Sequence, residues 1–267
     1  MASTFIAHGA AGYDHYMGRW SRRLAPLFLD FAGAAAGERV VDVGCGTGSL
    51  SLALVERSAV TAVEAIDFEA DFVAALQARI GTHPITARQG DACSLPFADA
   101  SFDRALSLLV LHFVSDAQQA AHEMRRVVRP GGIVAVSVWD TYGGMPSQRI
   151  FWDTVTAIEP SADGRRAAAM FRPATQPGDL PALLSRAGLT DVRETLLTIR
   201  MEFADFEDYW QPLLTAQGNL GQFVEGLAAP IRARVTEAVR AAYLSGRPDG
   251  PRSFASVAWA ARGVVPG

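Results

Sequence analysis

The chain has 267 residues, 49% of them hydrophobic, and a formal net charge of −4. That length fits one large domain, or one domain with a cap, around a sizeable core; no apolar run approaches the roughly 18 residues of a membrane helix, and the charge is unlike the basic face of a protein that grips nucleic-acid phosphates. Lysine is absent, so all 24 basic residues are arginine, which excludes Schiff-base chemistry and the lysine of a Walker loop.

The first residues, MASTFIAHGAAGYDHYM, lack a basic region followed by an apolar stretch, so no signal peptide is expected. Tyr13, Tyr16, Met17 and Trp20 recur at helical spacing, and Leu24, Leu27, Phe28 and Phe31 continue the apolar face. Pro26 predicts a kink or a break into two helices. The later part is expected to pack on a sheet edge. The earlier part, aromatic, polar and glycine-flanked, is expected to form a lid, with Arg19 placed to pair with a ligand carboxylate.

Residues 39–50, RVVDVGCGTGSL, organise the rest. Val40, Val41 and Val43 predict a buried strand. Gly44, Gly46 and Gly48 predict a turn in which the backbone comes close to a ligand. SLSLALVER (49–57) predicts a helix whose start offers free N–H groups and a positive dipole end. A dinucleotide fingerprint wants glycine or alanine where Ser49 stands. What stands here is D-x-G-x-G-x-G, starting at Asp42. Cys45 lies inside this turn. With Cys93 as the only other cysteine, a disulfide framework or an all-cysteine metal site is excluded, and a reduced cytoplasmic setting is expected.

TAVEAID (61–67) predicts the second strand, ending on Asp67, a carboxylate suited to both ribose hydroxyls of a nucleoside. Its rival reading is an N-cap for the helix EADFVAALQARI (69–80). The third strand ends near Gln89, followed by Gly90 and Asp91; such an acid can accept from an adenine amino group, and the Ala92 N–H can meet the ring nitrogen beside it. ASFDRALSLLVLHF (100–113) predicts the fourth strand. DAQQAAHEMRRVVRPGG (116–132) predicts a helix capped by Asp116 and stopped by Pro130-Gly131-Gly132, and IVAVSVWD (133–140) the fifth strand. This alternation implies a doubly wound α/β sheet whose ligands lie beyond the strand carboxyl ends, where Gly44, Asp67, Asp91, Leu108 and Trp139 all fall.

The strings VVDVGCGTG, AIDFEADFVAAL, QGDACSLPFADASFD, LVLHF and RRVVRPGG make residues 38–140 resemble class I S-adenosylmethionine-dependent methyltransferases of the ubiquinone/menaquinone-biosynthesis type. The resemblance implies a mostly parallel seven-stranded sheet with an antiparallel last strand, and S-adenosyl-L-methionine as cofactor. It implies Gly44, Gly46 and their neighbours on the methionine part, Asp67 on the ribose and Phe68 beside the adenine. Asp91 with Ala92 would meet the adenine edge, and Ser107 and Leu108 the sulfonium side. Asp42, Cys45 and Gly48 belong to the same glycine motif, and Tyr16, Met17 and Arg19 to the lid over it. His112 matches a histidine of the family's L-H-H string, but Phe113 replaces the second one.

The reading divides the chain into a lid segment (1–37), a core (38–204) with a variable insert at about 141–178, a helical cap insertion (205–250) and a last core strand (251–267). Phe206, Tyr209, Trp210, Leu213 and Leu214 either pack that insertion onto the sheet or close over an acceptor. Candidate general bases are His15, His112 and Asp140. No cluster of side chains has metal-ligand spacing, so no metal is expected. Methyl transfer to O, N or C of a small molecule is the expected function. The rivals are a tRNA or protein methyltransferase, a non-catalytic sensor of the cofactor or its demethylated product, and, more distantly, an NAD-dependent oxidoreductase. No membrane partner is expected.

Overall fold

The computed structural model describes residues 9–215 and 219–267. Residues 1–8 of the expected lid and 216–218 of the expected insertion lie outside the described residues. The N-terminal segment is a short helix, α1 (Ala10–Tyr13), a π-helical turn (Asp14–Gly18) and α2 (Arg19–Ala32). Contrary to the expected break, α2 runs through Pro26. The carbonyl that Pro26 leaves without a donor belongs to Arg22, on the exposed side of the helix where water can serve it. The irregularity falls earlier, at the π-turn.

Five parallel strands follow: β1 (Arg39–Val43), β2 (Ala62–Asp67), β3 (Ile85–Gln89), β4 (Phe102–Leu108) and β5 (Val128–Trp139). Between them lie α3 (Ser49–Arg57), α4 (Ala70–Gln77) and α5 (Ala117–Val127). The Asp116 side chain accepts from the Gln119 N–H, as an N-cap should. The helix ends sooner than the sequence suggests, and β5 starts at Val128. Pro130-Gly131-Gly132 is a register jump inside β5: Phe102 pairs with Val128, but Arg104 pairs with Ile133. A Cβ on Gly132 would meet the Asp103 carbonyl at 2.5 Å, so the close approach of the two backbones there requires glycine.

The chain then forms α6 (Pro146–Ile158), α7 (Asp163–Met170), α8 (Asp179–Arg186), β6 (Thr190–Phe203), α9 (Phe206–Thr215), α10 (Asn219–Glu225), α11 (Ala229–Leu244) and β7 (Arg252–Val264). The seven-stranded sheet has the order β3-β2-β1-β4-β5-β7-β6, and β7 is antiparallel to both neighbours. Alternate residues of β1 feed the two faces: Val40 joins a core with Leu24 and Phe28 of α2 and Leu50 and Leu54 of α3. Val41 and Val43 join the other, with Met124 of α5 and Leu184 of α8. The insertion aromatics mainly pack. Phe206, Tyr209 and Trp210 are buried, Tyr209 stacks on Tyr243 at 5.0 Å, and its hydroxyl donates to the Ser147 carbonyl at 2.8 Å. Each such ring contributes about 1.5–3 kcal/mol on burial, which fixes the insertion on α6. Among the described residues no helix is long and apolar enough to cross a membrane, and no group of three or more His, Cys, Asp or Glu could hold a metal.

Candidate functional site

The glycine turn after β1 is stitched to the end of β2. The N–H groups of Gly44 and Cys45 donate to the Ile66 carbonyl at 2.7 and 2.9 Å, and that of Gly46 donates to Asp67 Oδ2 at 2.7 Å. Gly44 has φ 80°, and a Cβ there would lie 2.8 Å from Val110 Cβ. Val110, just after β4, therefore packs directly on the turn. Asp67 is 9% exposed. Its Oδ1 accepts from the Glu69 N–H at 2.9 Å, so Asp67 braces the start of α4 while Glu69 is the N-cap residue. Burial raises its pKa against the pull of these hydrogen bonds.

Gly44, Cys45, Gly46, Asp67, Phe68, Asp91, Ala92 and Leu108 all line one cavity at the carboxyl ends of β1 to β4. Asp91 Oδ1 accepts from the Cys93 N–H at 2.8 Å, which shapes the opposite wall. Asp42, Gly48 and Ser107 do not reach the cavity; they hold it up from below. Gly48 starts α3 where a Cβ would run into Leu76. Ser107 donates to the Val43 carbonyl at 2.9 Å and ties β4 to β1.

Asp42 is fully buried, accepts from Ser51 Oγ at 2.6 Å, and leaves Oδ1 without a partner among the described residues. Burial pushes its pKa up to about 7, only partly offset by Ser51. Since the folded value is raised, the stability it contributes is full below the unfolded value near 4 and is lost as pH rises through 7. Asp42→Asn is expected to narrow the wild-type loss of unfolding free energy between pH 4 and 7.5 by roughly 2–4 kcal/mol. Urea titrations of both proteins across that range measure the difference.

The N-terminal segment roofs the cavity. Asp14 accepts from Thr47 Oγ1 in the glycine turn and pairs with Arg79, which also donates to the Thr47 carbonyl at 3.1 Å. Gly18 leaves room for the Asp14 carboxylate, since a Cβ there would lie 3.3 Å from Asp14 Cγ and closer still to its oxygen. Tyr13 packs on Phe72 at 4.9 Å and, with Ser21, lines the cavity. Asp14 carries no local sequence signal, because its partners stand far along the chain. Asp14→Ala removes about 1–2 kcal/mol of these contacts. It is expected to speed release of a ligand from the cavity by roughly 5- to 30-fold in stopped-flow experiments.

A second cavity, of about 770 Å³, adjoins the first. Tyr13, Ser21, Leu109, Phe113, Val114 and Ser115 border both. Leu109 has φ 66°, a strained value for a bulky side chain, at the point where the cavities meet. The wall includes Tyr16, Met17, His112, Trp139, Trp152 and Arg172. Tyr16 and Met17 thus belong to this second space. His112 is 3% exposed, and burial, with the positive charge of Arg172 adding, pushes its pKa down to about 3. Burial pushes the Tyr16 phenol up to about 12.

Three expected residues stand apart from both cavities. Arg19 is committed to Asp208, donating to its carboxylate at 2.7 Å and its carbonyl at 3.0 Å, with the guanidinium over Trp20. This ion pair joins α2 to α9, so Arg19 is not free for a ligand carboxylate. His15 points to solvent from the π-turn and lines neither cavity. Asp140 accepts from the Gly143 N–H at 2.9 Å in the turn after β5 and lines neither.

A methyltransferase-domain family model matches residues 41–136. An uncharacterized protein of Mycobacterium tuberculosis (strain ATCC 25618 / H37Rv) is 31% identical over 234 residues, covering 83% of this chain and 81% of that protein. The demethylmenaquinone methyltransferase of Beutenbergia cavernae is 38% identical over 123 residues, covering 46% of this chain and 50% of that protein. Among solved structures, the YcgJ protein of Bacillus subtilis superposes with a TM-score of 0.60 at 18% identity, covering 92% of this chain and 99% of that one. The chain belongs to the class I S-adenosylmethionine-dependent methyltransferases, enzymes with a Rossmann-like fold, and its cofactor is S-adenosyl-L-methionine. The first cavity fits that group. Its floor is glycine backbone, the space over Gly46 is open as far as the Tyr13 ring 3.8 Å from a built Cβ, and carboxylates stand on two walls.

Proposed function

We propose that the enzyme methylates a small molecule held in the second, 770 Å³ cavity. In this reading Gly44, Cys45 and Gly46 hold the methionine part of the cofactor and Asp67 accepts from the ribose hydroxyls. Phe68 lies beside the adenine, Asp91 and the Ala92 N–H meet its edge, and Leu108 with Leu109 line the sulfonium side. Residues 9–37 act as the lid, and the 205–250 insertion, through Leu213 and Leu220, closes the far wall. The shared wall of the two cavities carries the proposal: it lets an acceptor approach the methyl group from a space separate from the one holding the nucleoside.

When bound, the cofactor supplies a methyl group activated by its sulfonium. The chain's own work is placement and exclusion of water. Tyr13, Leu109 and Phe113 set the line of approach, and alignment of this kind supplies roughly 7–11 kcal/mol of a barrier. The aromatic wall keeps the acceptor dry. With a pKa near 3, His112 is neutral and a weak base at pH 7, so this reading gives it no part in removing a proton. The test is transfer from methyl-labelled cofactor into a fractionated cell extract. Label in the low-molecular-weight fraction is expected. Label confined to tRNA or protein sinks the proposal.

A further inference from the structure

The larger cavity carries charge of one sign. Arg165 and Arg172 stand on its wall, and among the described residues no Asp or Glu does. Arg172 is half-buried, and its guanidinium makes no hydrogen bond or ion pair among the described residues. It lies over the Phe113 ring, 4.7 Å from the guanidinium carbon, on the wall that both cavities share. The other arginines beside the active-site roof are engaged: Arg19 with Asp208, Arg79 with Asp14 and Arg22 with Asp14 at 3.5 Å. A cation withdrawn from water without a counter-ion is costly, and burial lowers the Arg172 pKa accordingly.

His112, almost fully buried in the same wall, feels the charge of Arg172 and stays neutral, so it adds no charge beside the guanidinium. Around these two polar groups the wall is aromatic: Tyr16, Phe113, Trp139, Trp152 and Phe171.

Building on the small-molecule reading above, we infer that the acceptor is an acid: a carboxylate or phosphate monoester on a flat apolar body, its anionic oxygens held by Arg172. A guanidinium lying on a ring presents two parallel N–H groups to such an oxyanion, a match that an ammonium or a neutral donor does not reproduce. The ring wall takes the body.

Calorimetry on the full chain saturated with S-adenosylhomocysteine tests this. The probes are 2-naphthoate, 2-naphthyl phosphate, 2-naphthamide, 2-naphthol and 2-naphthylamine, with decanoate and decylamine as a second body. The acids are expected to bind at least 10-fold more tightly than the amides, alcohols and amines of the same body. Phosphate against carboxylate then tells which anion the site takes. Arg172→Met is expected to abolish the preference while leaving S-adenosylhomocysteine affinity unchanged, which also shows that the variant is folded. Arg172→Lys is expected to recover only part of it. Equal binding of acids and neutral probes, tighter binding of amines, or a preference that survives in Arg172→Met overturns the inference and leaves the small-molecule reading standing. If no probe of either charge binds while S-adenosylhomocysteine does, the small-molecule reading falls and the inference with it.

Discussion

Gly44→Ala is expected to lower S-adenosylmethionine affinity by roughly 100-fold or more, close to 3 kcal/mol, and to destabilise the fold. Two independent costs combine. The residue has φ 80°, where an L side chain costs about 1–2 kcal/mol. A Cβ would also overlap the side chain of Val110, and relieving such overpacking typically costs about 1–3 kcal/mol. Val110 cannot yield freely, because it follows the strained Leu109 and lines the same cavity. The turn must move instead, carrying the N–H groups of Cys45 and Gly46 off Ile66 and Asp67. Calorimetry with S-adenosylmethionine, beside a urea titration, separates the two effects. Val110→Ala in the same chain should restore part of the affinity by making room. Wild-type affinity in Gly44→Ala alone would remove the turn from the cofactor site.

Asp67→Ala is expected to weaken S-adenosylmethionine binding by about 1.5–3 kcal/mol, the range for hydrogen bonds to a charged group. The structure adds a second consequence. Asp67 is the acceptor for the N–H groups of Gly46 and Glu69, so its loss leaves two backbone donors at the cavity floor without their partner. Affinity and stability should therefore fall together. Asp67→Asn, which keeps one acceptor oxygen, should fall between wild type and Asp67→Ala in both measurements. A stability loss with unchanged affinity would reduce Asp67 to a structural brace and sink its ribose assignment.

The sheet was legible because its signals are local. Val40, Val41 and Val43 run straight into Gly44, and largely apolar runs ending in Asp67 and Leu108 mark where strands meet the cavity. The antiparallel β7 and the parallel order of β1 to β5 follow from the family resemblance and the βα alternation. Contacts between distant parts of the chain were not legible. Arg19 pairs with Asp208, and Asp14 with Thr47 and Arg79, and no spacing in the sequence announces such pairs. The Pro130-Gly131-Gly132 run departs from expectation for a related reason: glycines at a backbone crossing obey tertiary surroundings that local rules do not contain. Arg172 sits in the variable stretch between β5 and α8, where residue type alone gives no hint that the guanidinium faces a cavity. The same limit explains His15 and Asp140: both are chemically able bases, and only the folded chain reveals that neither lines the two spaces.

Tyr13 and Ser21 form part of the boundary of both cavities, and both belong to the segment that Asp14 fastens to the glycine turn. One latch therefore guards two doors. If residues 9–37 act as the proposed lid, loosening the strap opens the nucleoside space and the acceptor space in the same motion, and the expected kinetic signature is a strictly sequential mechanism.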